Sequence, residues 1–328
     1  MSNARSMGDK KMENDAVPGL SRRRVIQAGV AAGITMAMPG TLALAAERLA
    51  PVLKTIPSTG EKLPAVGVGT NAFGVTSAEE LAELKRVLAA MPEHGGKLID
   101  TARAYGTSEE VIGSLLADLG NRDKFFLATK TPLGGDISGG KAVLDESFSR
   151  LKVSKIDLLQ IHNVYGVAEL LPHYQEYKTA GKIRYMGVTT SVDRQYEDLI
   201  ATVKGNKFDF LQVDYSIGNR GAADKVLPLA QDKGMGVLIN VPFGGRGRSF
   251  FPRVAGKAVP EWAAKEFDAS TWAQFFLKYI ISHPAVTATI PGTTTMAFLE
   301  DNQMGGRGRL PNAAQRKKME EFWDALPS

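Results

Sequence analysis

Along the chain, short runs of consecutive apolar residues alternate with longer stretches whose apolar positions recur every three or four residues. The run Val66-Gly67-Val68-Gly69-Thr70 is followed by Ser77-Ala78-Glu79-Glu80, a capping-box pattern, and then by Leu81, Leu84, Val87, Leu88 and Met91 at helical spacing. The pairing then repeats. Strands are predicted at Lys97 to Asp100, Lys124 to Lys130, Ile156 to His162, Ile183 to Val188, Phe208 to Val213, Met235 to Val241 and Val286 to Ile290, with helix-like segments between them, including Ser108 to Leu119 and Gly140 to Leu151. Continuous apolar runs such as Phe125-Phe126-Leu127-Ala128 and Val237-Leu238-Ile239 are what parallel strands buried on both faces require. Eight such strands alternating with helices predict an α/β fold, a (β/α)8 TIM barrel. A β-hairpin precedes it, with Val52 to Ile56 and Lys62 to Ala65 flanking Pro57-Ser58-Thr59-Gly60. A doubly wound open sheet is the alternative, opposed by the lack of a Gly-x-Gly-x-x-Gly after any strand.

Residues 1–45 stand outside this pattern. Ser21-Arg22-Arg23-Arg24-Val25-Ile26 precedes a weakly apolar run from Val25 to Ala45 that contains Gln27, Thr35 and Pro39-Gly40. Ala43-Leu44-Ala45 then offers small residues at the positions a signal peptidase reads. The segment resembles a twin-arginine export signal cleaved after Ala45, which divides the chain into a signal peptide, residues 1–45, and one barrel domain, residues 46–328. The competing reading is a basic leader followed by a short anchoring helix. Its Gly, Pro and polar residues make a poor membrane span, so no stable span is expected once the signal is removed. The resemblance implies the twin-arginine export machinery as a partner and a periplasmic or exported destination. Because that pathway moves folded proteins, it also implies a cofactor loaded in the cytoplasm.

Composition narrows the chemistry. The 328 residues are 44% apolar and 23% charged, as in a globular protein, and three of the five net positive charges fall within residues 1–45. The cluster Arg246, Arg248 and Arg253 sits among Gly and Phe in one predicted loop, without an aromatic-interleaved basic stripe, so no nucleic-acid partner is expected. Cysteine is absent, which excludes disulfides, thiolate catalysis and cysteine metal sites. The four histidines, at 94, 162, 173 and 283, lack metal-ligand spacing, so no metal is expected. Oligomeric state is left open.

In a parallel barrel, chemistry gathers at the C-terminal ends of the strands. Strand two ends in Asp100-Thr101-Ala102-Arg103-Ala104-Tyr105-Gly106, strand three in Thr129-Lys130 and strand four in Gln160-Ile161-His162. Three consecutive strands thus deliver an acid, a phenol, an amine and an imidazole to one face. This set suits reduction of a carbonyl. A hydride arriving at carbon leaves an alkoxide that needs a proton, and a phenol of pKa ~10 donates slowly unless its anion is stabilised. Lys130 as an ammonium would favour the phenolate of Tyr105, Asp100 would pair with the lysine, and neutral His162 would orient the carbonyl oxygen. Taken singly, each residue has a plainer reading: a strand-end polar group, a solvated loop charge or a helix cap.

Jointly these residues resemble the aldo-keto reductase superfamily, from about Val52 to Asn302. The resemblance implies NADP(H) as cofactor, with NAD(H) possible, and a small-molecule carbonyl substrate. It also implies cofactor contacts at Gly69, Thr70 and Asn71 after strand one, Thr190 and Ser191 after strand five, Gln212 and Tyr215 on strand six and Pro242 after strand seven. After strand eight it implies Gly292, Thr293, Thr294 and Asn302. Tyr215 is equally readable as a packed strand-end aromatic.

Three positions depart from the family pattern. Gly292 and Phe298 stand where many members carry a lysine and an arginine for the 2′-phosphate, and Asn240 stands where an aromatic ring often stacks on the nicotinamide. Arg307 or Arg309 is a possible substitute from a neighbouring loop. Phe250, Phe251 and Trp262 either shape a substrate pocket or pack the loop between Gly244 and Pro260. Two other functions stay open: a nicotinamide-binding accessory or sensor protein with little turnover, and a Schiff-base aldolase acting through Lys130, which the nearby Asp100 opposes.

Overall fold

The hairpin and the barrel meet end to end in the structure, a computed structural model that describes residues 49–245 and 249–327. The predicted signal at residues 1–45 and the basic pair Arg246 and Arg248 lie outside the described residues. Strands β1 (Leu53–Thr55) and β2 (Lys62–Pro64) form the antiparallel hairpin. After them run β3 (Val68–Gly69), α1 (Ala78–Ala90), β4 (Leu98–Asp100), α2 (Ser108–Leu119), β5 (Phe126–Lys130), α3 (Lys141–Leu151), β6 (Ile156–Ile161) and α4 (Val167–Thr179). The second half holds β7 (Ile183–Thr189), α5 (Tyr196–Gly205), β8 (Phe210–Asp214), α6 (Ala222–Asp232), β9 (Gly236–Asn240), α7 (Glu261–Phe267), α8 (Trp272–Ile281), β10 (Ala288–Thr289), α9 (Met296–Gly305) and α10 (Ala313–Asp324).

Strands β3 to β10 pair in parallel in chain order. The first and last are joined by Gly67 N donating to Thr289 O, Thr289 N to Ala65 O and Gly69 N to Pro291 O, each at 2.9 Å. The sheet therefore closes on itself, which sets aside the open-sheet alternative. Strands β3 and β10 are shorter than the sequence pattern predicts because this seam is made of single bridges, at Val66–Thr289 and Gly69–Gly292. Gly69 is required there: a Cβ on it would lie 2.5 Å from the Ile290 carbonyl oxygen.

Because strand side chains alternate, every second residue faces the barrel interior. Leu98, Phe126, Ala128, Leu158, Tyr185, Phe210, Leu238 and Ala288 form one interior cluster with Ile56 and Leu63 of the hairpin. Tyr185 Oη pairs with Thr59 Oγ1 at 2.8 Å and donates to Glu61 Oε2 at 2.9 Å, so the hairpin caps the end of the barrel where the strands begin. Two residues further along the same inward positions stand Asp100, Lys130, Gln160, Gln212 and Asn240. The interior is thus an apolar plug with a polar layer above it, at the strands' C-terminal ends. Among the described residues, no helix is long and apolar enough to cross a membrane.

Candidate active site

The polar layer is organised around a buried ion pair. Lys130 Nζ donates to Asp100 Oδ1, to the Thr101 carbonyl oxygen at 2.9 Å and to Tyr105 Oη at 3.4 Å. The other carboxylate oxygen of Asp100 accepts from Gln160 Nε2 at 3.1 Å and Gln212 Nε2 at 2.9 Å. A buried pair of charges is tolerable only when its remaining donors and acceptors are satisfied, which these contacts achieve. Burial acts to lower the Lys130 pKa, but the Asp100 charge and then the Tyr105 hydroxyl outweigh it and hold the amine above its ordinary range. Lys130 is an ammonium, and the aldolase alternative, which needs a free amine, loses its footing.

Tyr105 is half-buried in the turn after β4, its backbone N donating to Ala102 O at 3.1 Å, with the Lys130 ammonium 5.0 Å from its ring centre. His162 follows β6 and anchors its backbone N on Thr131 Oγ1 at 3.1 Å. Its ring stands edge-on to Tyr105, centroids 6.2 Å apart at 85°. Burial, reinforced by the Lys130 charge, pushes its pKa down to about 3, so the imidazole is neutral over any working pH. Just beyond it, Asn163 and Val164 take left-handed backbone (φ 51° and 60°), a strained conformation for a β-branched residue that turns the chain away sharply. The structure thus brings all four sequence-derived catalytic residues together.

Two neighbours escaped the sequence reading as site residues. Gln160, a polar residue at an inward position of an otherwise apolar strand, was discernible from that parity alone. Glu109, in the first turn of α2, is buried with Oε1 accepting from Thr129 Oγ1 at 2.6 Å and Oε2 3.8 Å from Arg103 Nε. Desolvation lifts its pKa to about 6. It lies behind Lys130 and was readable in sequence only as a helix-start acid.

The residues expected to hold a cofactor divide into groups. Thr70 braces the floor, its hydroxyl donating to Asp100 O at 2.9 Å, while Asn71 and Gly292 are exposed at the seam. Gln212 is buried in the polar layer, its Oε1 accepting from Asn240 Nδ2 at 3.3 Å. Asn240 Nδ2 also donates to Thr190 O at 2.9 Å, and Asn240 Oδ1 is left buried without a hydrogen-bond partner. The Thr190 hydroxyl donates to Gln195 Oε1 at 2.7 Å, with half-exposed Ser191 beside it, and Pro242 is buried after Val241, another left-handed residue (φ 50°). Thr293 and Asn302 are buried together, Asn302 Nδ2 donating to Thr293 Oγ1 at 2.9 Å, and Thr294 is half-exposed.

Tyr215 follows its packed alternative. It belongs to the cluster between sheet and helices, stacks on Tyr279 and receives a hydrogen bond from Arg316 Nη2 at 2.6 Å. Strand parity explains this, since three residues beyond inward-facing Gln212 the side chain points out. Arg307 and Arg309 do not serve the phosphate end. They follow the C-terminus of α9, where Arg307 donates to Leu49 O and His94 O and Arg309 pairs with Asp268. A ten-residue helix of about 15 Å separates them from Thr294. Phe250, Phe251 and Trp262 pack the loop down: Phe250 meets Phe276 and Trp323, Phe251 meets Phe243, and Trp262 meets Phe267 and Phe322.

Comparison with known proteins places this geometry. Residues 65–305 match the profile of the aldo/keto reductase family. Aldo-keto reductase YhdN of Bacillus subtilis is 31% identical over 202 residues, which span 56% of this chain and 60% of that protein. Aldo-keto reductase str7 of Strobilurus tenacellus is 28% identical over 76% of this chain and 84% of its own length. Among solved structures, an aldo/keto reductase from Klebsiella pneumoniae in complex with NADP and acetate superimposes with a TM-score of 0.67 at 24% identity, covering 84% of this chain and 96% of that one.

Proposed function

The chain belongs to the aldo/keto reductase family, and from that premise we propose that it reduces an aldehyde or ketone to the alcohol with a nicotinamide cofactor, NADP(H) or NAD(H). The observation that carries this reading is the convergence of Asp100, Lys130 and Tyr105 in one hydrogen-bonded chain beside neutral His162. The unpartnered acceptor of Asn240 fits a nicotinamide, whose carboxamide amine would satisfy it. Gln212 and Thr190 would back that contact.

When bound, the cofactor supplies the hydride. This chain's residues manage the proton. Tyr105 Oη donates to the substrate oxygen as it gains charge, and Lys130 stabilises the resulting phenolate by its adjacent ammonium. Asp100 keeps Lys130 charged and fixed, while His162 holds the carbonyl oxygen toward Tyr105 without competing as an acid. A sensor role with little turnover has no use for a phenol hydrogen-bonded to a buried ion pair. Carbonyl-dependent oxidation of NADPH or NADH by the purified protein across a panel of aldehydes and ketones tests the reading; nucleotide bound without turnover on any of them contradicts it.

The twin-arginine resemblance of Ser21-Arg22-Arg23-Arg24 and the small residues at Ala43 and Ala45 support a periplasmic or exported enzyme with residues 46–328 as its mature barrel domain. Its cofactor would then be loaded before export by the twin-arginine machinery. Mass analysis of nucleotide released from protein recovered from the periplasm tests this: bound dinucleotide is expected, and a chain confined to the cytoplasm contradicts it.

A further inference from the structure

Barrels of this kind hold phosphate between the loops after the seventh and eighth strands and a nearby helix N-terminus, where free amides and the helix dipole favour an anion. In this chain that helix is α9, preceded by Gly292-Thr293-Thr294-Thr295. Two of its first-turn amides are already engaged from within. Phe298 N donates to Thr295 Oγ1 at 3.3 Å, and Met296 N donates to Glu83 Oε1 at 2.9 Å. Glu83 reaches across from the middle of α1, so a carboxylate occupies the position that favours an anion.

Among the described residues, which leave out Arg246 and Arg248 in the loop after β9, no cation offsets it on the α9 side. Residues 292–300 contain neither Lys nor Arg, and Arg307 and Arg309 sit at the opposite end of α9. Arg86, one turn further along α1, pairs with Glu83, so its charge is spent on that carboxylate. A 2′-phosphate, carrying about −1.5 to −2 charges, would have to displace Glu83 or lie against it. A ribose 2′-hydroxyl is neutral and donates a hydrogen bond to a carboxylate. Dinucleotide sites on another fold discriminate in this way, with an acid for the hydroxyl and an arginine for the phosphate.

We propose that Glu83 sets the nucleotide selectivity of this site against the 2′-phosphate, so that NADH binds more tightly than NADPH. The inference rests on the reading of the site as a nicotinamide site and chooses between the two cofactors it admits. Binding to the full chain, followed by quenching of tryptophan fluorescence without any carbonyl present, separates the two ideas. Wild type is expected to bind NADH about tenfold more tightly than NADPH, a gap the size of one modest ionic contact. Glu83→Gln keeps an acceptor for Met296 N but removes the charge, and should tighten NADPH while leaving NADH nearly unchanged. Thr294→Arg, which adds a cation from the α9 side and leaves α1 intact, should act in the same direction. Tighter binding of NADPH by wild type, or a ratio that Glu83→Gln leaves in place, overturns the role of Glu83 while the nicotinamide reading stands. Binding of neither nucleotide overturns both.

Discussion

The two sides of this barrel's upper face are built differently. On the side of β4, β5 and β6, Asp100, Tyr105, Lys130 and His162 gather in one cluster, and the proton chemistry proposed for them leaves little freedom in their identity. On the side of β9, β10 and α9, the proposed recognition would fall to backbone, to small residues and to partners from distant elements, such as Glu83 meeting Met296 across 213 residues of sequence. Catalytic groups cannot be exchanged without losing the reaction. Binding groups can be replaced by any neighbour of suitable charge and shape, and it is on this side that Gly292, Phe298 and Asn240, the three departures read from the sequence, fall.

The sharpest way to break the contrast is to disable the catalytic side alone. Lys130→Met should lower kcat/KM for carbonyl reduction by about 10²- to 10⁴-fold, the range of general acid–base contributions, with nucleotide affinity changed little. Steady-state kinetics beside nucleotide titration checks this; parallel losses in both would show the two sides to be one unit.

A smaller effect lies just behind Lys130. Desolvation lifts Glu109 from its ordinary 4.5 to about 6, so between those values the folded protein holds a proton that the unfolded chain has released. Stability contributed by this group is present below pH 4.5 and lost as pH rises through 6. Over that window wild type should lose on the order of 2 kcal/mol relative to Glu109→Gln. Urea denaturation of both proteins across the window measures it, and equal slopes would mean that Glu109 titrates normally.

The smallest effect belongs to Arg309, a surface partner of Asp268. Arg309→Ala should change stability by at most about 1 kcal/mol and leave NADPH binding as it was. A clear loss of NADPH affinity would put Arg309 back among the phosphate contacts.

This division also governs what was legible in sequence. Apolar runs and helical spacing were enough to place all eight barrel strands, because burial on both faces leaves an unbroken pattern. The strands most overestimated in length, β3 and β10, are those at the seam, where pairing is by isolated bridges and Gly69 is chosen for backbone approach rather than hydrophobicity; β5 and β9 were each read two residues too long. The catalytic four were legible because strand ends in a parallel barrel converge by topology. Tyr215 was ambiguous because parity, not residue type, decides which way it faces. Glu83 was invisible: on α1 it reads as an ordinary solvated acid, and only the packing of the first helix against the last reveals its partner.

In the proposed reaction Tyr105 gives the proton while the rest of the site binds and orients. Tyr105→Phe removes one hydroxyl from a half-buried ring and leaves the Asp100–Lys130 pair intact. Measured together, kcat for carbonyl reduction should fall by about 10²- to 10⁴-fold while the dissociation constant for the nucleotide stays within a few-fold of wild type. Turnover at the wild-type rate in that variant would rule out Tyr105 as the proton donor.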